Sequence, residues 1–219
     1  MLTANSTSTE KIREKKRRFL AREQRIVDAA LELLLEQGID RVTVSSIANR
    51  AGIGKGTIYK HFLTKNEIFM RIVLDYERTL AENLAKGIKE ASRSNPGAAA
   101  KAYFQSRLNN PALDRLVQHL EARLEAEQEV EVQLKELHEI RRSNVNSLNA
   151  MVAELMKDGI LEDVPPHYHY LSCWALAQGA VDLYFNKTLD GLGADDKASL
   201  LEYIAGIGVT MGNRGQLGN

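Results

Sequence analysis

The chain has 219 residues, 44% of them hydrophobic and 26% charged, the balance of an ordinary globular protein able to bury a core. A single cysteine, Cys173, excludes an intramolecular disulfide and fits a reducing cytoplasm, and no segment is apolar for long enough to span a bilayer. Formal net charge is zero but unevenly spread: residues 1–65 hold 13 Lys and Arg against 7 Asp and Glu (+6), and residues 66–219 hold 16 against 22 (−6). A basic front and an acidic body suit a nucleic-acid reader joined to a body that stays off the nucleic acid.

Residues 1–9 are Ser/Thr-rich and uncharged, and are expected to be disordered. The start lacks the apolar stretch of a signal peptide. Residues 11–25 are strongly basic and run without a breaker into the first helix, as a phosphate-touching arm or a solvated helix face. Residues 1–18 are therefore set apart as a disordered, basic arm. The first helix is predicted over about 19–37, with Ile26, Ala29, Ala30, Leu33 and Leu34 as its buried stripe and Gly38 closing it.

Residues 43–62, TVSSIANRAGIGKGTIYKHF, read as two short helices around a glycine turn. Thr43 and Ser45 precede the first apolar positions, Ile47, Ala48 and Ala51 share one face, and Gly52 stands where a left-handed cap is wanted. The second helix is predicted from Gly54 or Lys55 through Phe62, with Ile58 and Phe62 inward. Lys55, Thr57, Tyr59, Lys60 and His61 then face out. They carry cations, a hydroxyl, a phenol and an imidazole but no carboxylate, a face suited to phosphates and base edges in a major groove. A helix–turn–helix presents its second helix in this way. Thr64 and Glu67 form a capping box, and the first turn of the following helix, with Lys65, makes a phosphate seat.

At these residues the sequence resembles the TetR family of bacterial transcriptional regulators. The resemblance lies in AGIGKGTIYKHF followed by TKNEIF, after a helix ending LLLEQGIDRVTVSSIA, and covers about the first third of the chain. Many members carry Ser where this chain has Gly54. The resemblance implies a homodimer, an inducer cavity in the helical body and a fourth helix linking sensor to reader.

That fourth helix is predicted over about 65–91, with Ile68, Phe69, Ile72, Val73 and Tyr76 inward, and ends before the break SRSNPG at 92–97. Helices follow over about 97–108, 112–126 (Asn110 as cap, Pro111 first), 129–157, 168–189 and 195–211. Glu121, Glu125, Glu127, Glu129 and Glu131 point in different directions and read as a solvated face. The last two helices are apolar, with small residues Ala175, Ala177, Gly179, Ala180, Ala205, Gly206 and Gly208. They are expected to pair with a second copy, as a four-helix interface, or else to be internal core. The tail 213–219 is expected to fray.

No catalytic constellation emerges. His167 and His169 lack further ligands, Gly54-Lys55-Gly56-Thr57 lacks the leading glycine and strand of a phosphate loop, and no metal or cofactor is expected. Phe104, His119, His138, Tyr170, Trp174 and Tyr184 are candidates for the wall of a ligand cavity.

The reading is an all-α protein. Residues 19–65 form a three-helix DNA-binding domain with a helix–turn–helix, and 66–219 a helical ligand-binding and dimerisation bundle. Thr43, Ser45, Lys55, Gly56, Thr57, Tyr59, Lys60, His61 and Lys65 are assigned to a double-stranded operator. The expected protein is a cytoplasmic homodimeric repressor released by a small-molecule effector, with no membrane partner. Two rivals stay open: a regulator that takes no ligand or that activates, and a helical enzyme or small-molecule carrier without a DNA role.

Overall fold

The structure, a computed structural model, describes residues 4–214, less the side chains of residues 4–9 and 188. The described chain is helical throughout, with only two isolated bridges, Ser92 to Asn95 and Leu161 to Asn213, and no named strand. Among the described residues nine α-helices follow in order. They are α1 (Ala4–Gln37), α2 (Val44–Ala51), α3 (Lys55–Ile58), α4 (Lys65–Glu90), α5 (Ala98–Leu108), α6 (Pro111–Leu124), α7 (Glu131–Lys157), α8 (Pro166–Tyr184) and α9 (Ala194–Thr210). Two compact units emerge, one from Met1–Val73 with His119–Glu131, the other from Leu74–Gln118 with Val132–Asn219.

In the first unit α1 starts earlier than its sequence promised. The helix is continuous from Ala4, so the part of the supposed disordered arm that the structure describes is helical; residues 1–3 lie outside the described residues. Only from Ile26 onward is a stripe buried, with Ile26, Ala29, Ala30, Leu33 and Leu34 all at 5% exposure or less. Gly38, at φ 80°, closes the helix by donating to the Leu34 carbonyl at 3.0 Å. The boundary expected after Lys65 falls after Val73 instead. The first two turns of α4, with Ile68, Phe69, Met70, Ile72 and Val73 buried, belong to the first unit. Residues 119–131 belong there too, tied on by Arg123 donating to Asp40 at 2.5 Å and Asn66 donating to Glu129 at 2.7 Å.

In the second unit α5, α8 and α9 pack around Phe104, Ala177, Ala180, Val181, Leu201 and Ile204. Two glycines permit close helix approach. A Cβ on Gly87 of α4 would sit 2.8 Å from the Ala98 carbonyl of α5, and one on Gly208 of α9 would sit 2.1 Å from the Phe104 ring. The tail does not fray at its start: Arg214 donates to the Ile160 carbonyl at 3.0 Å, and Asn213 bridges to Leu161. Residues 215–219 lie outside the described residues.

Candidate nucleic-acid interface and effector cavity

α2 and α3 are built as a helix–turn–helix by local bonds. Thr43 is extended (φ −122°, ψ 157°) and its Oγ1 accepts from the Ser46 amide at 3.1 Å, while Ser46 Oγ accepts from the Thr43 amide at 2.9 Å. At the other end Gly52 is left-handed (φ 65°, ψ 37°), and Ile53 donates back to the Ala48 carbonyl at 3.0 Å. Two arginines lock the pair to α1. Arg25 Nη2 donates to the Ala51 carbonyl at 2.5 Å, placing a cation on the negative end of α2. Arg50 grips Glu36 (2.6 and 2.9 Å) and Glu32 (3.0 Å), and its hydrogen bonds hold the Glu36 carboxyl below its ordinary range.

Gly54 starts α3 without a side-chain cap. The helix proper ends at Ile58, and turns carry it to Phe62, whose amide donates to the Ile58 carbonyl at 2.9 Å. Ile58 and Phe62 are buried, as their spacing required. Lys55, Gly56, Tyr59 and Lys60 are exposed, Thr57 is half-buried, and Thr43 and Ser45 are exposed on the adjoining edge. A Cβ at Gly56 would meet nothing within 4 Å, so nothing inside the protein demands glycine there.

His61 is the exception to the outward face. Its side chain is 2% exposed, stacked on Phe19 with ring centroids 4.1 Å apart, and its Nδ1 lies 3.8 Å from Glu23 Oε1 without a hydrogen bond. The ring fills the gap between α1 and the turn, which takes it off the outward face it was assigned to. Its truncation is expected to act on stability: His61→Ala should cost about 1–3 kcal/mol, read by thermal denaturation, and leave sequence preference on duplexes unchanged.

Lys65 is half-buried. Its Nζ donates to the Val42 carbonyl at 3.1 Å and lies 5.3 Å from the Phe69 ring centroid, one residue along from Thr43. The cap of α4 differs in detail from the expected box. Thr64 Oγ1 accepts from the Glu67 amide at 3.2 Å, but Glu67 reaches back to the Leu63 amide at 2.6 Å, so a carboxylate already occupies part of the proposed phosphate seat.

The second unit holds a buried polar network that the sequence did not reveal. Arg107 and Asp114, 5% and 2% exposed, form a two-pronged pair at 2.8 Å per bond. Asp114 also accepts from Tyr76 of α4, and from Gln118 at 2.6 Å. Arg107 donates further to Tyr103 at 3.1 Å and to Gln178 of α8 at 3.2 Å, and Gln178 donates to Gln118 at 2.8 Å. Burial, then the Asp114 charge and hydrogen bond, pushes the Tyr76 phenol well above its ordinary value; burial pushes Tyr103 up to about 12. The spacings Tyr103–Arg107 and Asp114–Gln118, each one helical turn, were the available signal.

Tyr103 also lines a cavity of about 70 Å³, walled by Leu84, Met151, Val152, Tyr170, Cys173 and Val209 among others. Burial pushes the Cys173 thiol up to about 11. The six candidate wall residues divide. Tyr170 lines this cavity, whereas Phe104 and Tyr184 line an open groove of about 770 Å³ between α5 and α9. His119, His138 and Trp174 are exposed and line neither. His119 belongs to the first unit, and each of the three sits on the solvent side of its helix.

The small residues of α8 and α9 divide as well. Ala177, Ala180 and Gly208 turn inward onto the Phe104 cluster, which corrects their assignment to a partner-facing surface. Ala175, Gly179 and Gly206 face out among exposed Leu171, Trp174, Leu183, Tyr203 and Ile207.

A family model described as bacterial regulatory proteins, tetR family, matches residues 26–72, the span from the buried stripe of α1 through the first turns of α4. Over these residues the chain carries the DNA-binding module of the TetR family of bacterial transcriptional regulators, and the matches as a whole support a TetR-family regulator. Its DNA-binding helix–turn–helix is α2 with α3, and its all-helical fold is that of TetR-family structures. The fatty acid metabolism regulator protein of Bacillus subtilis is 28% identical over 140 residues, 63% of this chain and 70% of that protein. The chain spans less than half the length of the next two curated relatives it matches. A tetR-family protein from Rhodococcus RHA1 superposes with a TM-score of 0.68 at 17% identity, covering 87% of this chain and 96% of that one. The FadR regulator from Bacillus subtilis, solved in complex with stearoyl-CoA, gives 0.60 at 22% identity over 85% and 97%. Among the described residues no helix is long and apolar enough to cross a membrane.

Proposed function

We propose that this TetR-family regulator is a cytoplasmic repressor, not an enzyme, which binds a palindromic operator as a homodimer and leaves it when a small apolar effector binds. The observation that carries the DNA-reading assignment is the exposed, acid-free turn Lys55–Lys60 beside Thr43, Ser45 and Lys65. Lys55, Thr57 and Lys60 approach base edges and flanking phosphates. Tyr59, 45% exposed, and Lys65 grip phosphates. The bare, open position of Gly56 lets the duplex come close. The exposed apolar faces of α8 and α9 supply the dimer interface, which sets the half-sites about one or more helical turns apart.

Substitution tests the reading against genomic duplex fragments. Lys65→Ala should weaken binding to all sequences alike and lower the log–log salt slope by about 0.9, while Thr57→Val should reorder sequence preference. An unchanged slope for Lys65→Ala removes that residue from the phosphate contacts. A protein that ignores every duplex at low salt, or sediments as a monomer, sinks the proposal.

For the effector, the acyl chain is the first class to try, from the likeness to a FadR regulator solved in complex with stearoyl-CoA. Apolar walls and two flexible methionines, Met151 and Met211, favour such a guest. Tyr103 would carry its arrival through Arg107 and Asp114 to Tyr76 on α4, favouring a state in which α4 tilts and the two readers spread. A second reading, a regulator without a ligand, draws on the cavity's size. At about 70 Å³ it holds a few waters and is far below the roughly 300–1,000 Å³ of ordinary ligand sites. Thermal stabilisation by stearoyl-CoA, with loss of duplex binding, separates the two.

A further inference from the structure

Seven cations lie between Lys11 and Arg22 on a part of α1 that buries almost nothing, and their arrangement is not uniform around the helix. At about 100° per residue, Lys11, Lys15 and Arg18 all fall within about 40° of Arg22, forming a stripe. Arg13, Lys16 and Arg17 fall about 120° or more away. The azimuth of the stripe is fixed by two contacts. Arg25, about 60° to one side of Arg22, donates to the Ala51 carbonyl at the end of α2. Phe19, about 60° to the other side, stacks on His61 just past α3. The stripe therefore leaves α1 between the two anchors, on the side of the helix–turn–helix.

Its members are available. Among the described residues Lys11, Lys15 and Arg22 make no side-chain hydrogen bond or ion pair, and all are exposed. Arg18 donates to Glu14 at 2.7 Å, but its side chain is 76% exposed, so that pair is screened and readily exchanged. Gln would serve the helix as well as Lys or Arg at these exposed sites, so helix formation alone does not call for four aligned cations.

We infer that Lys11, Lys15, Arg18 and Arg22 form a rigid helical rail that grips the sugar–phosphate backbone of duplex DNA beside the half-site read by α3. This rests on the DNA-reading assignment of the turn. From Lys11 to Arg22 the rail runs about 16 Å, the length of about five base pairs, so it extends the footprint outward without reading bases. Stiffness distinguishes it from a flexible arm. The cations are held in register by the helix, so side-chain but not backbone ordering entropy is lost when they meet phosphate.

The test compares two full-length variants of equal net charge on a random-sequence duplex, by fluorescence anisotropy between about 50 and 200 mM salt. The rail triple is Lys11→Gln, Lys15→Gln, Arg22→Gln; the off-rail triple is Arg13→Gln, Lys16→Gln, Arg17→Gln. The rail triple should lower the log–log salt slope by about 2 to 3 and the affinity by roughly tenfold or more, and the off-rail triple should change the slope by less than about 1. Equal effects, or none from the rail triple, overturn the rail while the parent's own duplex binding leaves the turn assignment standing. A rail triple that loses binding to phosphatidylserine vesicles but keeps its duplex slope overturns it in favour of a lipid surface. A parent that binds no duplex fails both readings together.

Discussion

Arg107→Ala should destabilise the second unit by about 3–5 kcal/mol, the cost of leaving a buried charge without its partner. Asp114 is 2% exposed and accepts four hydrogen bonds, two of them from Arg107. Tyr76 and Gln118 remain after the substitution, but they are neutral donors, and water has no ready path to a carboxylate buried so deeply. For a chain of this length the loss corresponds to a fall of roughly 10 °C or more in Tm, read by differential scanning calorimetry. A matched pair, Arg107→Met with Asp114→Leu, should recover most of it, because the charge then disappears from both sides. If Arg107→Ala shifted stability by less than about 1 kcal/mol, the pair would be a solvated one and the network would not be a strut. The same side chain also reaches the cavity wall, since its partner Tyr103 lines it.

The second large effect is expected at Gly208. Alanine there would place its Cβ 2.1 and 2.2 Å from two atoms of the Phe104 ring, and Phe104 is fully buried among Ala177, Ala180, Val181 and Leu201. Either the ring leaves its rotamer or α9 moves off α5, at a cost of about 1–3 kcal/mol. That exceeds the roughly 1 kcal/mol by which Ala outranks Gly as a helix former. Gly206, two residues earlier and exposed, is the control: a Cβ there meets nothing within 4 Å. Gly206→Ala should raise monomer stability slightly, and a simultaneous loss of dimer in sedimentation would place Gly206 against the second copy. Gly208→Ala with unchanged Tm would mean that the α5–α9 contact is looser than described.

What could be read from the sequence divides by range. Thr43 and Gly52 work through bonds three to five residues away, so cap, turn and cap were visible before any coordinates. The stripes of α1 and α4 repeat every three or four residues and were visible for the same reason. His61 was misplaced because its neighbour, Phe19, lies 42 residues upstream and nothing local marks a polar ring as buried. Serine and threonine near the start looked like disorder, although one unbroken helix takes them up from Ala4. The network of Tyr76, Arg107, Asp114 and Gln178 joins four helices, and its members look like surface residues until the packing brings them together. Trp174, His119 and His138 failed as cavity residues because residue type says nothing about which side of a helix meets the interior.

The lone thiol has a practical corollary. Cys173 is the sole cysteine in the chain, it sits half-buried in the cavity wall, and at neutral pH its sulfur stays protonated and slow to alkylate. Spin labels or fluorophores can therefore be attached through a cysteine introduced at the exposed turn while the native thiol stays silent. In the proposed homodimer the separation of the two reading heads then becomes a ruler measurement on an otherwise wild-type protein.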